Sequence, residues 1–295
     1  MTYQAEISRD NPTSFLFVVD QSGSMDEKTE SGRSKAQFVA DVLNKTIYTL
    51  VTNCSKADGV RNYFDVGVLA YGGSNVSSGF GGALSNAVIH PIGVISEKPL
   101  RIEERIKKID DGAGGIVDQK TKFPIWFDPQ SSGGTPMSAA LTKTMEVIAE
   151  WCDAHNHSYP PTILHVTDGQ STDGAPEVIA DGLRQLSTND GQSLLFNLHV
   201  TVGGGQEVLF PMSESALADE YSRMLFRMSS PLPLHLAKFA GDKGYSIADG
   251  SPGGLESNSM GTAFACFMNM ISARLLKSAR CSSARRIRSK PPSSG

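Results

Sequence analysis

An apolar run at positions 14–19, Ser-Phe-Leu-Phe-Val-Val, leads directly into the polar sequence Asp-Gln-Ser-Gly-Ser at positions 20–24. A short apolar run bounded by turn residues predicts a strand buried on both faces of a sheet. Because Gly23 lacks a Cβ atom, the chain can bend there and turn Asp20, Ser22 and Ser24 into one concavity. This part of the chain therefore predicts a buried strand that ends in an oxygen-rich cation site.

Two further segments could complete such a site. Thr135 lies in a glycine turn at positions 132–136, Ser-Gly-Gly-Thr-Pro, and Asp168 ends a second apolar run at positions 162–168. The carboxyl ends of parallel strands form the ligand-binding crevice of a doubly wound sheet, so we expect Asp20 and Asp168 at adjacent strand ends. Carboxylate and hydroxyl oxygens suit Mg²⁺, and Mn²⁺ is the expected substitute.

Each segment alone has a simpler interpretation. Residues 20–24 could form an ordinary turn in which Asp and Ser act as turn and capping residues. Thr135 before Pro136 could be a helix N-cap, and Asp168 before Gly169 could belong to a turn. Only the combination of the three segments favours a metal site.

In combination, the segments resemble the metal-ion-dependent adhesion site of von Willebrand factor A domains. They are most similar to intracellular bacterial members, including those associated with tellurite resistance. The resemblance spans about residues 12–277 and implies that a partner's Asp or Glu binds the metal. It also implies that the final helix, at residues 261–276, is a mobile switch element. The metal ligands that it implies are Asp20, Ser22, Ser24, Thr135 and Asp168.

This resemblance predicts a protein-binding module that depends on a divalent metal. We expect it to act as a scaffold or adaptor in a bacterial stress-response or signalling assembly, beside a kinase or phosphatase of the same system. The alternative is a metal-dependent phosphoryl hydrolase, because Mg²⁺ with open coordination positions can activate water. A hydrolase needs a base and a phosphate clamp, and we expect no basic residue against the three segments except Lys28 and Arg33, which follow the first. We therefore expect binding rather than catalysis and assign no catalytic residue.

Composition and the pattern of apolar residues indicate the cellular compartment of the protein. The chain has 295 residues, 39% of them hydrophobic, and no apolar run approaches the roughly 20 residues that span a bilayer. The N-terminus lacks the basic start and apolar core of a signal peptide. The cysteines are far apart, which fits reduced thiols rather than a disulfide framework. These features predict a cytoplasmic protein without membrane contact. The four cysteines are Cys54, Cys152, Cys266 and Cys281.

Predicted strands alternate with predicted helices along the chain. This order predicts an α/β protein, doubly wound and Rossmann-like, with a mostly parallel sheet flanked by helices on both faces. Besides the strands that precede Asp20 and Asp168, we expect strands at residues 63–70, 193–202 and 244–248. We also expect an edge strand at residues 87–95 and a short charged helix at residues 102–109.

Two segments invite a functional interpretation. Residues 111–130 are rich in glycine and turn formers, and we expect a loop at the metal rim from which Trp126 and Phe127 contact a partner. Residues 278–295 form a basic tail beyond the domain, although the whole chain has a net charge of −4. Such a tail could attract nucleic acid, but its Ser and Pro content favours a disordered terminus or a non-native remnant. Nucleic acid is not expected as a partner.

Histidine and cysteine residues offer a second candidate site. Cys152, His155 and His157 lie close together in the sequence. Two histidines that are two residues apart on a helix do not share a face, so surface or capping roles are favoured over zinc binding. His165 lies within a predicted buried strand, and we expect a hydrogen-bonded core histidine there.

Overall fold

The computed structural model describes residues 3–29, 32–110, 115–202, 208–217, 219–242 and 255–257. The strand predicted at residues 244–248, the helix predicted at residues 261–276 and the basic tail at residues 278–295 lie outside the described residues. No helix within the described ranges has both the length and the apolar character that a bilayer crossing requires.

The elements are numbered in chain order, leaving short 3₁₀ turns and two-residue ladders unnumbered. The strands are β1 (Thr13–Asp20), β2 (Phe64–Gly72), β3 (Asn75–Ser78), β4 (Ile89–Pro91), β5 (Arg101–Asp110), β6 (Ile116–Ile125), β7 (Thr162–Thr167), β8 (Leu194–Val200), β9 (Val208–Leu209) and β10 (Leu255–Ser257). The helices are α1 (Lys35–Cys54), α2 (Ile92–Glu97), α3 (Met137–Ala154), α4 (Pro176–Gln185), α5 (Glu220–Met228) and α6 (Leu234–Asp242).

The main sheet has the strand order β9-β10-β8-β7-β1-β2-β3, and β4 also pairs with β2. The five strands from β10 to β2 pair in parallel, whereas β3, β4 and β9 join antiparallel at the margins. This order is that of a doubly wound sheet, whose winding direction reverses between β1 and β7. The predicted fold class is confirmed, and the reversal places the ends of β1 and β7 side by side.

The central strand β1 divides the core into two layers. Its side chains alternate between the faces, so Phe15 and Phe17 pack in one apolar cluster and Leu16 and Val18 pack in the other. The first cluster receives the buried faces of α1, α2 and α6, and the second receives those of α3, α4 and α5. Both faces of the sheet are therefore covered, and β1 is fixed from both sides.

The start of α1 is set by a reciprocal pair of hydrogen bonds. The Gln37 N–H donates to the Ser34 hydroxyl at 3.2 Å, and the Ser34 N–H donates to the Gln37 side-chain oxygen at 3.1 Å. This capping box satisfies backbone donors that the first helical turn leaves without intrahelical partners. It also fixes Lys35 as the first residue of the helix.

Residues 102–109 correct the sequence prediction. They form β5 rather than a helix, because β5 pairs antiparallel with β6 along its whole length. Arg105 stacks over the Phe123 ring at 4.1 Å and pairs with Asp41 of α1. Charges spaced along this segment suit a helix as well as a strand, and these cross-strand and tertiary contacts favour the strand.

Two neighbouring predictions were also wrong in part. The edge strand expected at residues 87–95 is limited to β4, and α2 follows it, because Pro91 cannot continue the ladder with an N–H group. The loop expected at residues 111–130 contains the ten-residue strand β6.

Trp126 and Phe127 do not form a partner-binding rim, so that prediction was wrong. The two residues are 1% and 2% exposed. The Trp126 indole N–H donates to the Ile95 carbonyl at 2.7 Å, and the Asn44 side chain accepts from both backbone N–H groups. These bonds turn both rings into the core beside α1, where no partner can reach them.

Candidate metal site

Asp20 ends β1 as a buried carboxylate that is 1% exposed. One of its oxygens accepts the Ser22 N–H at 2.8 Å, and the other accepts the Thr167 hydroxyl at 2.6 Å. The hydroxyl oxygens of Ser22 and Ser24 lie 3.0 Å apart. The first segment thus gathers one carboxylate and two hydroxyl groups at the end of the strand, as the sequence predicts.

Backbone hydrogen bonds join this segment to the glycine turn before α3. The Gly23 N–H donates to the Gly133 carbonyl at 2.9 Å, and the Ser132 N–H donates to the Gln21 carbonyl at 2.8 Å. Gly133 has a φ of +64°, and a Cβ atom on it would lie 2.5 Å from the Gly73 Cα atom. This close approach requires glycine at position 133.

Thr135 is 4% exposed and is fastened to the loop that follows Asp168. Its N–H donates to the Thr172 hydroxyl at 2.9 Å, and its carbonyl accepts the Thr172 N–H at 3.0 Å. The N–H groups of Ser138 and Ala139 in the first turn of α3 donate to the Asp173 carboxylate, both at 2.8 Å.

The capping interpretation of Thr135 is therefore wrong. Pro136 flanks α3 and makes no side-chain cap bond, and Asp173 from the neighbouring loop supplies the acceptor instead. Although partial burial raises its pKa, the N–H groups of Ala139 and Ser138 hold the pKa of Asp173 below its usual value. The role of α3 capping thus falls to a residue other than Thr135.

Asp168 follows β7, and its side chain is 9% exposed. Its Oδ1 atom is buried and has no hydrogen-bond partner among the described residues. The His199 Nε2–H donates to the Asp168 carbonyl at 2.8 Å, which holds the backbone of the loop on the end of β8. A buried carboxylate oxygen without a donor is costly unless a cation or a water molecule satisfies it.

Lys35 is a site residue that the sequence did not reveal. Its side chain is 5% exposed, and its Nζ atom lies 3.7 Å from Asp168 Oδ2 and 2.7 Å from a carboxylate oxygen of Glu27. An ammonium group therefore contacts one of the predicted metal ligands. No sequence signal marks this contact, because it joins two residues that are far apart in the chain.

Asp20 is electrostatically strained. Burial raises its pKa to about 6, the hydrogen bonds from Ser22 and Thr167 oppose that shift, and the negative charge of Asp168 adds to it. The carboxylates of Asp20 and Asp168 thus lie at adjacent strand ends, and the Lys35 ammonium offsets only part of their negative charge. A divalent cation would offset the rest.

The residues fit a hard cation. The described part of the chain contains no group of three or more His, Cys, Asp or Glu side chains placed to hold a metal ion, so a metal here would take hydroxyl oxygens as well as carboxylates. The structure brings together the three segments that carry Asp20, Ser22, Ser24, Thr135 and Asp168. That these residues ligate Mg²⁺ or Mn²⁺ stays a prediction.

Tyr221 is an aromatic residue at this rim that the sequence analysis missed. It lies in the first turn of α5 and is 45% exposed. A Cβ atom on Gly169 would lie 2.6 Å from the Tyr221 Cβ atom, and Gly169 has a φ of +94°. The backbone next to Asp168 therefore runs directly against Tyr221, whose ring is available at the surface.

The histidine predictions have different outcomes. His165 is a buried core residue as expected, hydrogen-bonded at 2.7 Å to both the Tyr71 hydroxyl and the Asn197 side-chain oxygen. Burial lowers the pKa of His165 to about 4. His155 stacks on Trp151 with ring centroids 4.4 Å apart, which gives it a packing role.

Comparisons with known proteins give remote structural likenesses. No protein-family profile matches the chain, and no curated protein matches it. The solved structures that align with it include domains of the pilus tip protein Mfa5 from Porphyromonas gingivalis, the manganese-loaded TRAP protein of Plasmodium vivax, and the minor pilin PilB from Streptococcus sanguinis.

These alignments have low identity and low TM-scores. Mfa5 is 14% identical over 55% of this chain and 20% of its own, with a TM-score of 0.30. TRAP is 13% identical over 88% and 74%, with a TM-score of 0.35. PilB is 11% identical over 90% and 62%, with a TM-score of 0.42. Function must therefore follow from the residues of this chain.

Proposed function

We propose that this chain is a protein-binding module of the von Willebrand factor A type that depends on a divalent metal. Asp20, Ser22, Ser24, Thr135 and Asp168 would hold Mg²⁺ or Mn²⁺, and a partner protein would present an Asp or Glu to the metal. In this proposal the module acts as a scaffold or adaptor in an assembly for stress response or signalling, beside a kinase or phosphatase of the same system.

The observation that carries the proposal is the buried Oδ1 atom of Asp168. It has no hydrogen-bond partner among the described residues, although it lies at the point where β1 and β7 end together. Because burying an unsatisfied carboxylate oxygen is expensive, its retention here favours a bound cation. The donor set of carboxylates and hydroxyls matches the preference of Mg²⁺ for oxygen.

Each ligand-bearing segment has its own means of being held in place. Asp20 is oriented by Ser22 and Thr167, and Thr135 is bonded to Thr172 in the Asp168 loop. A bound divalent ion would supply an electrophilic coordination position that a carboxylate can fill. Preorganised ligands make such a charge-assisted bond strong, because little ordering is left for the moment of binding.

Partner contacts around the metal would come from the exposed rim. Tyr221 is the aromatic residue that the structure places against the Asp168 loop. Large, stiff aromatic side chains contribute contact area at low entropic cost and are enriched at binding surfaces. We therefore assign to Tyr221 the role of partner contact that the sequence had given to Trp126 and Phe127.

The burial and pairing of Lys35 favour binding over phosphoryl hydrolysis. A phosphate clamp needs a cation that faces the substrate, whereas Lys35 is 5% exposed and is already paired with Glu27 and Asp168. The hydrolase alternative also needs a base placed to activate water, and no described contact assigns one.

The test is affinity capture from the native cells with Mg²⁺ or with chelator, using wild type, Asp168→Ala and Asp58→Ala. Asp58 is a matched control, because its exposed carboxylate lies beyond the far end of α1. The proposal predicts a partner that is retained with Mg²⁺ by wild type and Asp58→Ala and is lost with Asp168→Ala or chelator. Replacing one acidic residue of that partner by its amide should abolish capture. Equal capture in chelator would contradict the proposal.

A further inference from the structure

Lys35 brings a fixed positive charge to the edge of the candidate metal site. Its Nζ atom is 3.7 Å from Asp168 Oδ2, and both side chains are nearly excluded from solvent, at 5% and 9% exposure. Lysine is almost never buried unless it is paired. Its burial therefore needs the two carboxylates that it contacts, those of Glu27 and Asp168.

The two pairings of Lys35 differ in length and in surroundings. Glu27 lies 2.7 Å away, its side chain is 53% exposed, and its carbonyl also accepts the Lys35 N–H at 3.0 Å. Asp168 is farther away, and its side chain is only 9% exposed. Lys35 is thus bound to Glu27 by backbone and side chain together, and it reaches Asp168 as a second partner.

This arrangement matters for the balance of charge. Without a metal, Asp20 and Asp168 place two carboxylates at adjacent strand ends, and the Lys35 ammonium offsets part of that charge. With a divalent cation on Asp168, the same ammonium would lie beside a like charge in a poorly solvated place, where repulsion is strong. Glu27 is then the partner that can keep Lys35.

We propose that Lys35 is a built-in competitor of the divalent metal: it pairs with Asp168 in the metal-free protein and pairs with Glu27 alone when the metal binds. This inference rests on the proposed function and adds a control of metal affinity to it. The ammonium prevents collapse of the empty site and lowers the affinity of the loaded one. Metal occupancy then responds to the metal concentration rather than being permanent.

The experiment measures Mn²⁺ affinity by calorimetric titration of the full chain and thermal unfolding in chelator. The variants are Lys35→Met, which keeps the apolar stem of the side chain, and Glu27→Gln. Lys28→Met is the matched control, since Lys28 is 59% exposed and pairs with Asp26 rather than with Asp168.

Lys35→Met should bind Mn²⁺ about tenfold more tightly or better, because a positive charge next to a ligand is removed. The same variant should unfold at a lower temperature in chelator. Glu27→Gln should weaken Mn²⁺ binding severalfold in wild type and have little effect in the Lys35→Met background, a non-additivity that reports a shared partner. Lys28→Met should leave both quantities unchanged.

The outcomes separate this inference from the proposed function. If wild type binds Mn²⁺ and Lys35→Met binds it with unchanged affinity, the competitor role is wrong and the metal site stands. If neither protein binds Mn²⁺, the metal site itself is wrong. If only Lys35→Met binds, Lys35 occupies the site permanently in the natural chain, which overturns both the release of Asp168 and the metal-dependent function.

Discussion

The backbone N–H of Gly23 donates to the carbonyl of Gly133 at 2.9 Å. This bond joins two loops that are far apart in the chain and that carry Ser22 and Ser24 on one side and Thr135 on the other. A Cβ atom on Gly23 would lie 3.3 Å from the same carbonyl oxygen. The two loops therefore touch through their backbones, and their glycines make that contact possible.

Gly133→Ala should destabilise the protein by about 2 kcal/mol or more, because it combines a left-handed φ with a clash against backbone. The added Cβ atom would lie 2.5 Å from the Gly73 Cα atom. Urea unfolding in chelator measures the change. Gly241→Ala is the control, since nothing lies within 4 Å of its Cβ position, and it should be neutral or slightly stabilising. Equal effects of the two substitutions would contradict this account of the loop contact.

Asp173→Ala should destabilise α3 by about 1 kcal/mol, since it removes the acceptor of two N–H groups at the start of the helix. It should also weaken Mn²⁺ binding severalfold, because the loop of Asp173 holds Thr135 through Thr172. Denaturant unfolding and calorimetry measure the two effects. Asp153→Ala, in the last turn of the same helix, should cause neither loss. Unchanged Mn²⁺ affinity in Asp173→Ala would contradict the assignment of Thr135 as a metal ligand that this loop holds in place.

Asp20→Asn should change how the stability of the metal-free protein depends on pH. Burial raises the pKa of Asp20 to about 6, from an unperturbed 3.8, so its folded form holds more protons and stability falls as pH rises through that window. Burial lowers the pKa of His165 to about 4, from 6.5, so stability instead falls as pH drops through nearly the same window. In wild type the two trends oppose each other.

Asp20→Asn removes the contribution of Asp20 to the pH dependence of stability and leaves that of His165. Asp20→Asn should lose about 3 kcal/mol of stability between pH 6.5 and pH 4 relative to wild type, and at pH 7 in chelator it should be more stable than wild type. Urea unfolding across this range, in chelator, measures both. Parallel pH profiles for the two proteins would show that Asp20 carries no strained charge in the folded state.

The fold and the meeting of the three candidate metal segments were predictable for a local reason. The apolar runs before Asp20 and Asp168 each predict a buried strand that is followed directly by polar residues. The strand order of a doubly wound sheet places the carboxyl ends of these strands together. Lys35 was not predictable, since its contact with Asp168 joins two residues that are far apart in the chain. Tyr221 was missed for the same reason, because only the close approach of Gly169 reveals it.

The errors around β5, β6 and the two aromatic residues have a common origin. Residues 102–109 place isoleucines at positions 102, 106 and 109 among charged residues, a spacing typical of a helix. The pairing with β6 overrides that local pattern. Trp126 and Phe127 follow β6, and their backbone N–H groups donate to the side chain of Asn44 in α1, a helix far away in the sequence. Contacts between residues far apart in the chain cannot be predicted from the local sequence pattern.

Calorimetric titration of Mn²⁺ into wild type, Asp20→Ala, Asp168→Ala and Asp58→Ala tests the central claim most directly. The account predicts saturable binding of one ion in wild type and Asp58→Ala, and loss of most of the heat in the two strand-end variants. Far-ultraviolet circular dichroism of each variant checks that it is folded. Undiminished Mn²⁺ affinity in folded Asp20→Ala and Asp168→Ala would contradict the metal site.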